Sequence, residues 1–321
     1  MPKPSPKFTQ LWTIVSFSLV FLWGCNDSNI EQDDLDETLS NALIDASNGQ
    51  GLSYFTFPES TNYASIPQDP NNPITDEKVA LGKLLFHETG IGVVPKNGVS
   101  TQTYSCASCH HAAAGFQAGI PQGIGEGGLG FGLSGEGRRR DLNYIIEELD
   151  VQDVRSPSAM NVAYQTNMLW NGQFGATGVN IGTEAQWTPG TPKAENTRGF
   201  EGVEIQAIAG MDVHRLAIEN SVCKTDPTYL ALFEAAYPDI PADQRVNLQN
   251  AALAIAAYER TLLANEAPFQ RWLKGENDAL TDLEKEGAIL FFGKANCVSC
   301  HTGPALNSME FYALGMNDLY Q

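Results

Sequence analysis

The stretches Cys106-Ala107-Ser108-Cys109-His110 and Cys297-Val298-Ser299-Cys300-His301 decide the fold of this chain of 321 residues. Each is a C-x-x-C-H motif, the attachment site of a c-type haem. The two thiols form thioethers with the porphyrin vinyl groups, and the histidine gives its imidazole to the iron as the proximal ligand. The alternative interpretations are a redox C-x-x-C pair, or half of a zinc site followed by a histidine by chance. Two such motifs in a chain with six cysteines and five histidines favour two covalently bound haem c groups.

The N-terminus has the features of an export signal. Lys3 and Lys7 precede Leu11–Trp23, an apolar run of 13 residues that is too short to span a bilayer. The run ends at Leu22-Trp23-Gly24-Cys25, which resembles a bacterial lipoprotein cleavage site. We therefore predict a lipoprotein-type signal peptide over 1–24 and a periplasmic protein that is lipid-anchored to a bacterial membrane at Cys25. An uncleaved membrane anchor is the alternative.

The chain is strongly acidic, with a formal net charge of −19. Such a charge repels phosphates and argues against nucleic acid as a partner. It suits a basic partner such as a small electron-carrier cytochrome, although acidity without any steering is an equal interpretation. The acidic residues cluster after Cys25, so we expect a flexible acidic tether over 25–65, with room for a short helix at 35–46.

Two helix starts form a repeated theme. Thr75 and Thr281 can each cap a helix whose first turn is acidic, and each helix carries a glycine four residues before a phenylalanine. Thr281 with Glu284 also fits a capping box. Each helix leads into a C-x-x-C-H motif. The sequence therefore predicts a mainly α fold with two cytochrome c-like haem domains, the first over 66–265 and the second, incomplete, over 266–321.

The region between the motifs reads as mainly helical. Apolar residues recur at helical spacing over 141–149, 226–236 and 245–264. The glycine-rich stretch 119–137 predicts an irregular loop, because no strand-to-helix unit accompanies it. The basic run 138–140 that follows can meet haem propionates or form a solvated charged face. Cys223, the remaining cysteine, is expected to be buried and inert.

Six segments accompany the two haem motifs: Leu81-Gly82-Lys83-Leu84-Leu85-Phe86, Arg155-Ser156-Pro157, Asn161-Val162-Ala163-Tyr164, Trp170-Asn171-Gly172, Ala257-Tyr258-Glu259-Arg260-Thr261-Leu262-Leu263 and Ala267-Pro268-Phe269. In this order they resemble the bacterial dihaem cytochrome c peroxidases, a group that includes the dihaem enzyme that matures a tryptophan-derived quinone cofactor. The resemblance covers about residue 66 to the end.

The resemblance implies a division of labour between the haems. The haem held by Cys106, Cys109 and His110 would react with hydrogen peroxide on the side of the iron opposite His110. The haem held by the second motif would accept electrons from a small c-type cytochrome. Trp170, matching a tryptophan between the haems, would support electron transfer; a packed core aromatic is the alternative. The implied reaction is the two-electron reduction of hydrogen peroxide to water.

The residues expected to move protons depart from the family pattern. Gln206 matches the family glutamine, but no glutamate stands where the family's would align. Glu204 and His214 are the nearby candidates, with His214 preferred because an imidazole can both take and give a proton near neutrality. After His111 no histidine occurs before His214, so the first iron is expected to be open without reductive activation, unless His214 is itself a ligand.

Two further departures concern metal ligation. Arg155 stands where the family has an asparagine ligand of an interdomain calcium ion, which weakens the expectation of Ca²⁺. Only 20 residues follow His301, so we expect a fragment or a second haem that is exposed on one side. Met309 and Met316 can supply a thioether ligand, with a loop role as the alternative.

Three functions remain open at this stage. The first is a cytochrome-c peroxidase that reduces hydrogen peroxide. The second is a dihaem enzyme that oxidises a partner protein or an organic substrate. The third is a non-enzymatic dihaem electron carrier, in which both irons are six-coordinate.

Overall fold

The computed structural model describes residues 32–313 and residue 315. The elements are α1 (Gln32–Ala46), α2 (Asp76–His87), β1 (Gly128–Leu129), β2 (Arg139–Arg140), α3 (Gly202–Val213), α4 (Pro227–Ala236), α5 (Ala242–Arg245), α6 (Leu248–Arg260), α7 (Pro268–Leu273) and α8 (Asp282–Phe292). Strands β1 and β2 pair antiparallel, with Gly128 opposite Arg140. The predicted mainly α fold class is confirmed.

Parts of the sequence-based predictions concern residues beyond this range. The predicted signal peptide, the lipidated Cys25 and the candidate ligand Met316 lie outside the described residues. Among the described helices, none combines the length and apolarity needed to cross a bilayer.

We call the part of the chain around the first motif, 66–265, the first unit, and the part around the second motif, 266–313, the second unit. Helices α2 and α6 form the centre of the first unit. Thr75 caps α2, since its Oγ1 accepts from the backbone N–H of Lys78 at 3.2 Å. Gly82 lies against α6: a Cβ built at this position would be 1.9 Å from the carbonyl oxygen of Ala254. The two helix backbones therefore approach as closely as the absence of a side chain allows. One turn further along α2, the ring of Phe86 lies 5.6 Å from that of Tyr258.

Helix α8 repeats the design of α2 in front of the second motif. The predicted capping box is confirmed, because Thr281 Oγ1 accepts from the N–H of Glu284 and the Glu284 carboxylate accepts from Thr281. Gly287 occupies the place of Gly82, yet no described atom lies within 4 Å of a Cβ built there. Leu283 and Leu290, on the same face, are exposed. The glycine face that is covered in the first unit is open in the second.

The N-terminal segment packs on the second unit, so the tether expected over 25–65 is wrong for residues 35–57. Leu39 and Leu43 of α1 are fully buried against Trp272 and Phe292. These apolar side chains recur at helical spacing within an acidic stretch, and burying them outweighs the solubility of their charged neighbours. The short helix allowed at 35–46 is confirmed as part of α1.

A buried ion pair fixes α1 to α8. Lys285, fully buried, lies 2.8 Å from Asp36 Oδ1, and the indole N–H of Trp272 donates to the same carboxylate at 2.6 Å. Tyr54, which follows α1, lies 3.0 Å from the hydroxyl of Thr302, directly after the second motif. The N-terminal segment is thus part of the surroundings of the second haem motif.

The intervening region is partly as predicted. Helix α4 confirms the pattern at 226–236, and α6 confirms the pattern at 245–264 over Leu248–Arg260. The helix predicted at 141–149 is wrong: only a 3-10 turn, Ile146–Glu148, forms there. Leu142 and Ile146 are exposed, so the apolar spacing has no partner surface to stabilise a helix.

The glycine-rich stretch is an irregular loop, as predicted, and Arg138 organises it. Its guanidinium donates to the carbonyls of Ile124, Gly125 and Gly130. Arg138 is 2% exposed, so the expectation of a solvated charge fails for this residue, whereas Arg139 and Arg140 are exposed.

The two glycines make a matched test of the helix packing. We expect Gly82→Ala to destabilise the fold by about 2 kcal/mol, because the new methyl group overpacks against Ala254. We expect Gly287→Ala to stabilise it by about 0.5 to 1 kcal/mol, because this helix position is open. Thermal unfolding of both variants checks this; equal shifts in Tm would contradict the packing difference.

A second variant tests the attachment of the N-terminal helix. Asp36→Asn leaves Lys285 buried without a charged partner, which we expect to cost about 3 kcal/mol. Hydrogen exchange of α1 should accelerate in this variant. Glu37→Gln, on the exposed side of the same helix, is the control and should leave exchange unchanged.

Candidate functional site

One cavity contains the first C-x-x-C-H motif. Cys106, Cys109 and His110 lie on its wall, and so do Gln206 and His214 from the region of α3. Much of the remaining wall is apolar, with Leu169, Phe174, Met211, Leu216 and Ile255 among the lining residues. The structure therefore brings the first motif together with two of the residues predicted to move protons.

The imidazole of His110 is held in a defined orientation. Its Nδ1 lies 2.9 Å from the carbonyl oxygen of Phe116, to which it can only donate. This bond leaves Nε2 without a proton, as a metal ligand requires. Burial, opposed by the Phe116 hydrogen bond, lowers the pKa of His110 and keeps the ring neutral. The Phe86 ring, 6.2 Å away, packs beside the imidazole.

The two thiols do not have the properties of a redox pair. Burial raises the pKa of both Cys106 and Cys109 to about 12. A dithiol that exchanges disulfides needs the opposite shift, because the thiolate is the nucleophile. Two neutral thiols and a neutral imidazole in a largely apolar cavity fit a covalently attached haem, with Cys106, Cys109 and His110 as its attachment and ligand residues.

The second motif repeats this local arrangement at the surface. His301 Nδ1 lies 3.1 Å from the carbonyl oxygen of Leu306, and the Phe291 ring lies 6.0 Å from the His301 ring. Cys297 and Cys300 are half-buried free thiols, while His301 is exposed. These residues fit a second haem by the same chemistry. Within the described residues, its surroundings include the N-terminal segment, through the contact of Tyr54 with Thr302.

His214 is oriented by a buried carboxylate. Its Nδ1 lies 2.9 Å from Asp150 Oδ2, and Asp150 is 5% exposed. Burial alone would raise the pKa of Asp150, but the hydrogen bond from His214 and the charges of His214 and Arg215 hold it below its usual value. Because an ionised carboxylate only accepts, Nδ1 carries a proton, and Nε2 is the nitrogen at which a second proton can be taken up or released.

Glu204 is not a group of this cavity, so its place among the proton-moving candidates is wrong. It is fully buried and accepts two hydrogen bonds from Arg260, at 2.9 and 2.6 Å. Asn72 donates to it at 3.2 Å. A carboxylate held by a buried guanidinium has a structural role here, since it keeps α3 against α6.

Glu259, which the sequence-based reasoning did not select, lines the cavity instead. It belongs to α6, one residue before Arg260, and is 8% exposed. Burial, and secondly the charge of Glu204, raise the pKa of Glu259 to about 8, against the opposing effect of Arg260. The sequence signal that could have identified Glu259 is an acidic residue directly after the apolar run 251–258 of α6.

The other candidate residues lie elsewhere. Trp170 is 94% exposed, so the alternative of a packed core aromatic is wrong, and its role in electron transfer stays a prediction. The turn that carries it meets the second unit: a Cβ at Gly172 would be 2.8 Å from Phe311. Met309 is half-buried after the second motif. Cys223 is fully buried, and burial raises its pKa to about 11, which agrees with an inert thiol.

The calcium expectation stays a prediction. Arg155, where the resemblance places an asparagine ligand, donates to the carbonyl of Ala118 at 2.9 Å. No group of three or more His, Cys, Asp or Glu side chains suited to a metal ion occurs within 35–313.

Comparisons with known proteins agree with these observations. The sequence profile of the family described as "Di-haem cytochrome c peroxidase" matches residues 76–278. Methylamine utilization protein MauG of Methylorubrum extorquens is 28% identical over 258 residues, which cover 79% of this chain and 58% of that protein. Cytochrome c peroxidase Ccp of Escherichia coli is 27% identical over 262 residues, covering 81% and 44%.

Among solved structures, a MauG-like protein associated with microbial copper homeostasis gives a TM-score of 0.46 at 20% identity, covering 80% of this chain and 61% of that one. The chain spans about half the length of the curated relatives it matches. Because the family profile covers well over half of the sequence and includes the cavity of the first motif, the chain belongs to the di-haem cytochrome c peroxidase family.

Proposed function

We propose that this protein is a periplasmic, lipid-anchored cytochrome-c peroxidase that reduces hydrogen peroxide to water with electrons from a small c-type cytochrome. One observation carries the proposal. A single cavity is lined by Cys106, Cys109 and His110 of the first motif and also by Gln206 and His214. The net charge of −19 supports a basic electron donor.

The haem of the first unit, when bound, supplies an iron that can coordinate peroxide and transmit electrons to it. The protein's own part is to move protons, because each peroxide needs two protons and two electrons to become two waters. His214 lines the cavity and its Nδ1 is engaged by Asp150, so Nε2 is the nitrogen that would accept a proton from peroxide. Asp150 stabilises the imidazolium that forms. The Gln206 amide can donate a hydrogen bond to the bound oxygens.

The second haem, held by Cys297, Cys300 and His301, would receive electrons from the donor. The exposure of His301 supports this role, because the second motif lies where a partner can approach. The turn of Trp170 and Gly172 lies beside Phe311 of the second unit, which supports a route between the units through this contact.

Turnover of the haem-loaded full chain tests the proposed function. We expect peroxide-dependent oxidation of a reduced small c-type cytochrome at two haems per chain, without prior half-reduction. Cys106→Ala/Cys109→Ala should remove one haem and all reaction with peroxide. Cys297→Ala/Cys300→Ala should remove the other haem and the use of the donor, while peroxide still changes the spectrum of the first.

Other outcomes separate the remaining functions. Two haems whose spectra do not respond to peroxide would contradict the proposal and indicate an electron carrier. A spectrum that responds to peroxide, without oxidation of any small cytochrome, would instead favour an enzyme that oxidises a partner protein or an organic substrate.

The orientation of His214 gives a separate prediction. Asp150→Asn removes the charge that stabilises the imidazolium, and we expect kcat/KM for peroxide to fall about 100-fold. The same change made in a His214→Gln background should have little further effect, because the two residues act as a unit. Additive losses in the double variant would show that Asp150 acts independently of His214.

A further inference from the structure

Glu259 is a buried acid without a partner, and it faces the cavity of the first motif. At 8% exposure it is more than nine-tenths buried. Within the described part of the chain, no side chain or backbone group forms a hydrogen bond or ion pair with its carboxyl group. Its carboxyl oxygens are not among the fully buried, unpaired side-chain atoms of the described residues, which are Ser105 Oγ and Thr177 Oγ1, so they are accessible from the cavity and can contact a molecule bound there.

The neighbouring acid shows what a structural carboxylate looks like in the same two helices. Glu204 takes two hydrogen bonds from Arg260 and is fully buried outside the cavity. Since Arg260 is also paired with Glu201 at 3.0 Å, its donors are directed away from Glu259. The buried guanidinium of Arg260 is therefore committed to Glu204 and Glu201, and Glu259 is left as a separate polar group of the cavity wall.

We propose that Glu259 is a catalytic acid of this cavity, whose carboxyl group delivers a proton to the departing oxygen of peroxide. The inference rests on the proposed peroxidase function and assigns a second proton-carrying residue to it. Glu259, on α6, is a carboxyl group that lines the cavity, whereas Glu204, the acid expected from the sequence, does not line it.

The proton and electron balance then closes with two residues. His214 accepts the proton of the peroxide oxygen that stays. Glu259 protonates the other oxygen, which leaves as water when the O–O bond breaks. The remaining oxygen takes one electron from each of two reduced donor cytochromes, the proton held by His214 and one proton from solvent, and becomes the second water. Glu259 regains its proton from solvent.

The electrostatic surroundings keep this acid protonated at neutral pH. Burial and the charge of Glu204 oppose ionisation, and Arg260 only partly compensates. Cys106, a thioether once the haem is attached, and the Tyr258 phenol, whose pKa burial raises, are also uncharged at pH 7. The proton donor is therefore loaded before peroxide arrives, as general acid catalysis requires.

Three variants of the haem-loaded full chain test the proposal. Glu259→Gln keeps the shape but cannot release a proton, and kcat/KM for peroxide at pH 7 should fall about 100-fold with two haems retained. Glu259→Asp keeps the acid and should recover part of the loss. Glu234→Gln, whose side chain is 72% exposed on α4, is the control and should match the unsubstituted protein.

Two measurements distinguish a Glu259 that donates a proton from a Glu259 with only a structural role. The rate of the unsubstituted protein should fall as the pH rises through about 8, where Glu259 ionises, and Glu259→Gln should lose this limb of the profile. Infrared difference spectra at pH 7 should show the carbonyl band of a neutral carboxylic acid that disappears in Glu259→Gln.

The outcomes are distinguishable. An unchanged rate and pH profile in Glu259→Gln, with the unsubstituted protein active, would overturn the inference alone. Absence of the infrared band would also overturn it, because Glu259 would then be ionised and without a proton to give. Inactivity of the unsubstituted protein toward peroxide would remove the proposed function, and the catalytic role of Glu259 with it.

Discussion

Helices α2 and α6 meet with the backbone of Gly82 against the carbonyl of Ala254, with no room for a side chain between them. This approach places Phe86 beside His110 at one end of α2. It also turns one face of α6, with Ile255 and Glu259, toward the cavity of the first motif. Loss of this contact would move the haem-binding loop and the cavity wall together, because both depend on the same pair of helices.

The two units share a local arrangement around each motif. Each has a capped helix, a phenylalanine beside the motif histidine, and a carbonyl that fixes the Nδ1 of that histidine. In the first unit α6 covers the glycine face of the helix. In the second, α1 packs on α8 through Leu39, Leu43 and the Asp36–Lys285 pair, and none of the described residues lies against Gly287. The same local sequence pattern is thus packed against different helices within the described part of the chain.

Two groups reach the cavity of the first motif from different surroundings. His214 is oriented by the contact of its Nδ1 with the buried carboxylate of Asp150. Glu259 has no hydrogen-bond or ion-pair partner within the described residues, and burial favours its neutral, protonated form. In the proposed mechanism the first group accepts a proton and the second donates one. The difference comes from surroundings supplied by separate parts of the chain, and not from the residue types alone.

The sequence by itself determined the two haem motifs, the family, the caps at Thr75 and Thr281, and the helices that became α2, α4, α6 and α8, because these depend on spacing along the chain. Only the tertiary structure decided the rest. Long-range packing places α1 on the second unit and leaves 141–149 without a helix. It also decides which of two acids lines the cavity. Arg260 of α6 pairs with Glu204 of α3, while Glu259 lies on the cavity wall. Residue spacing cannot reveal that choice, because the partners lie far apart in the chain.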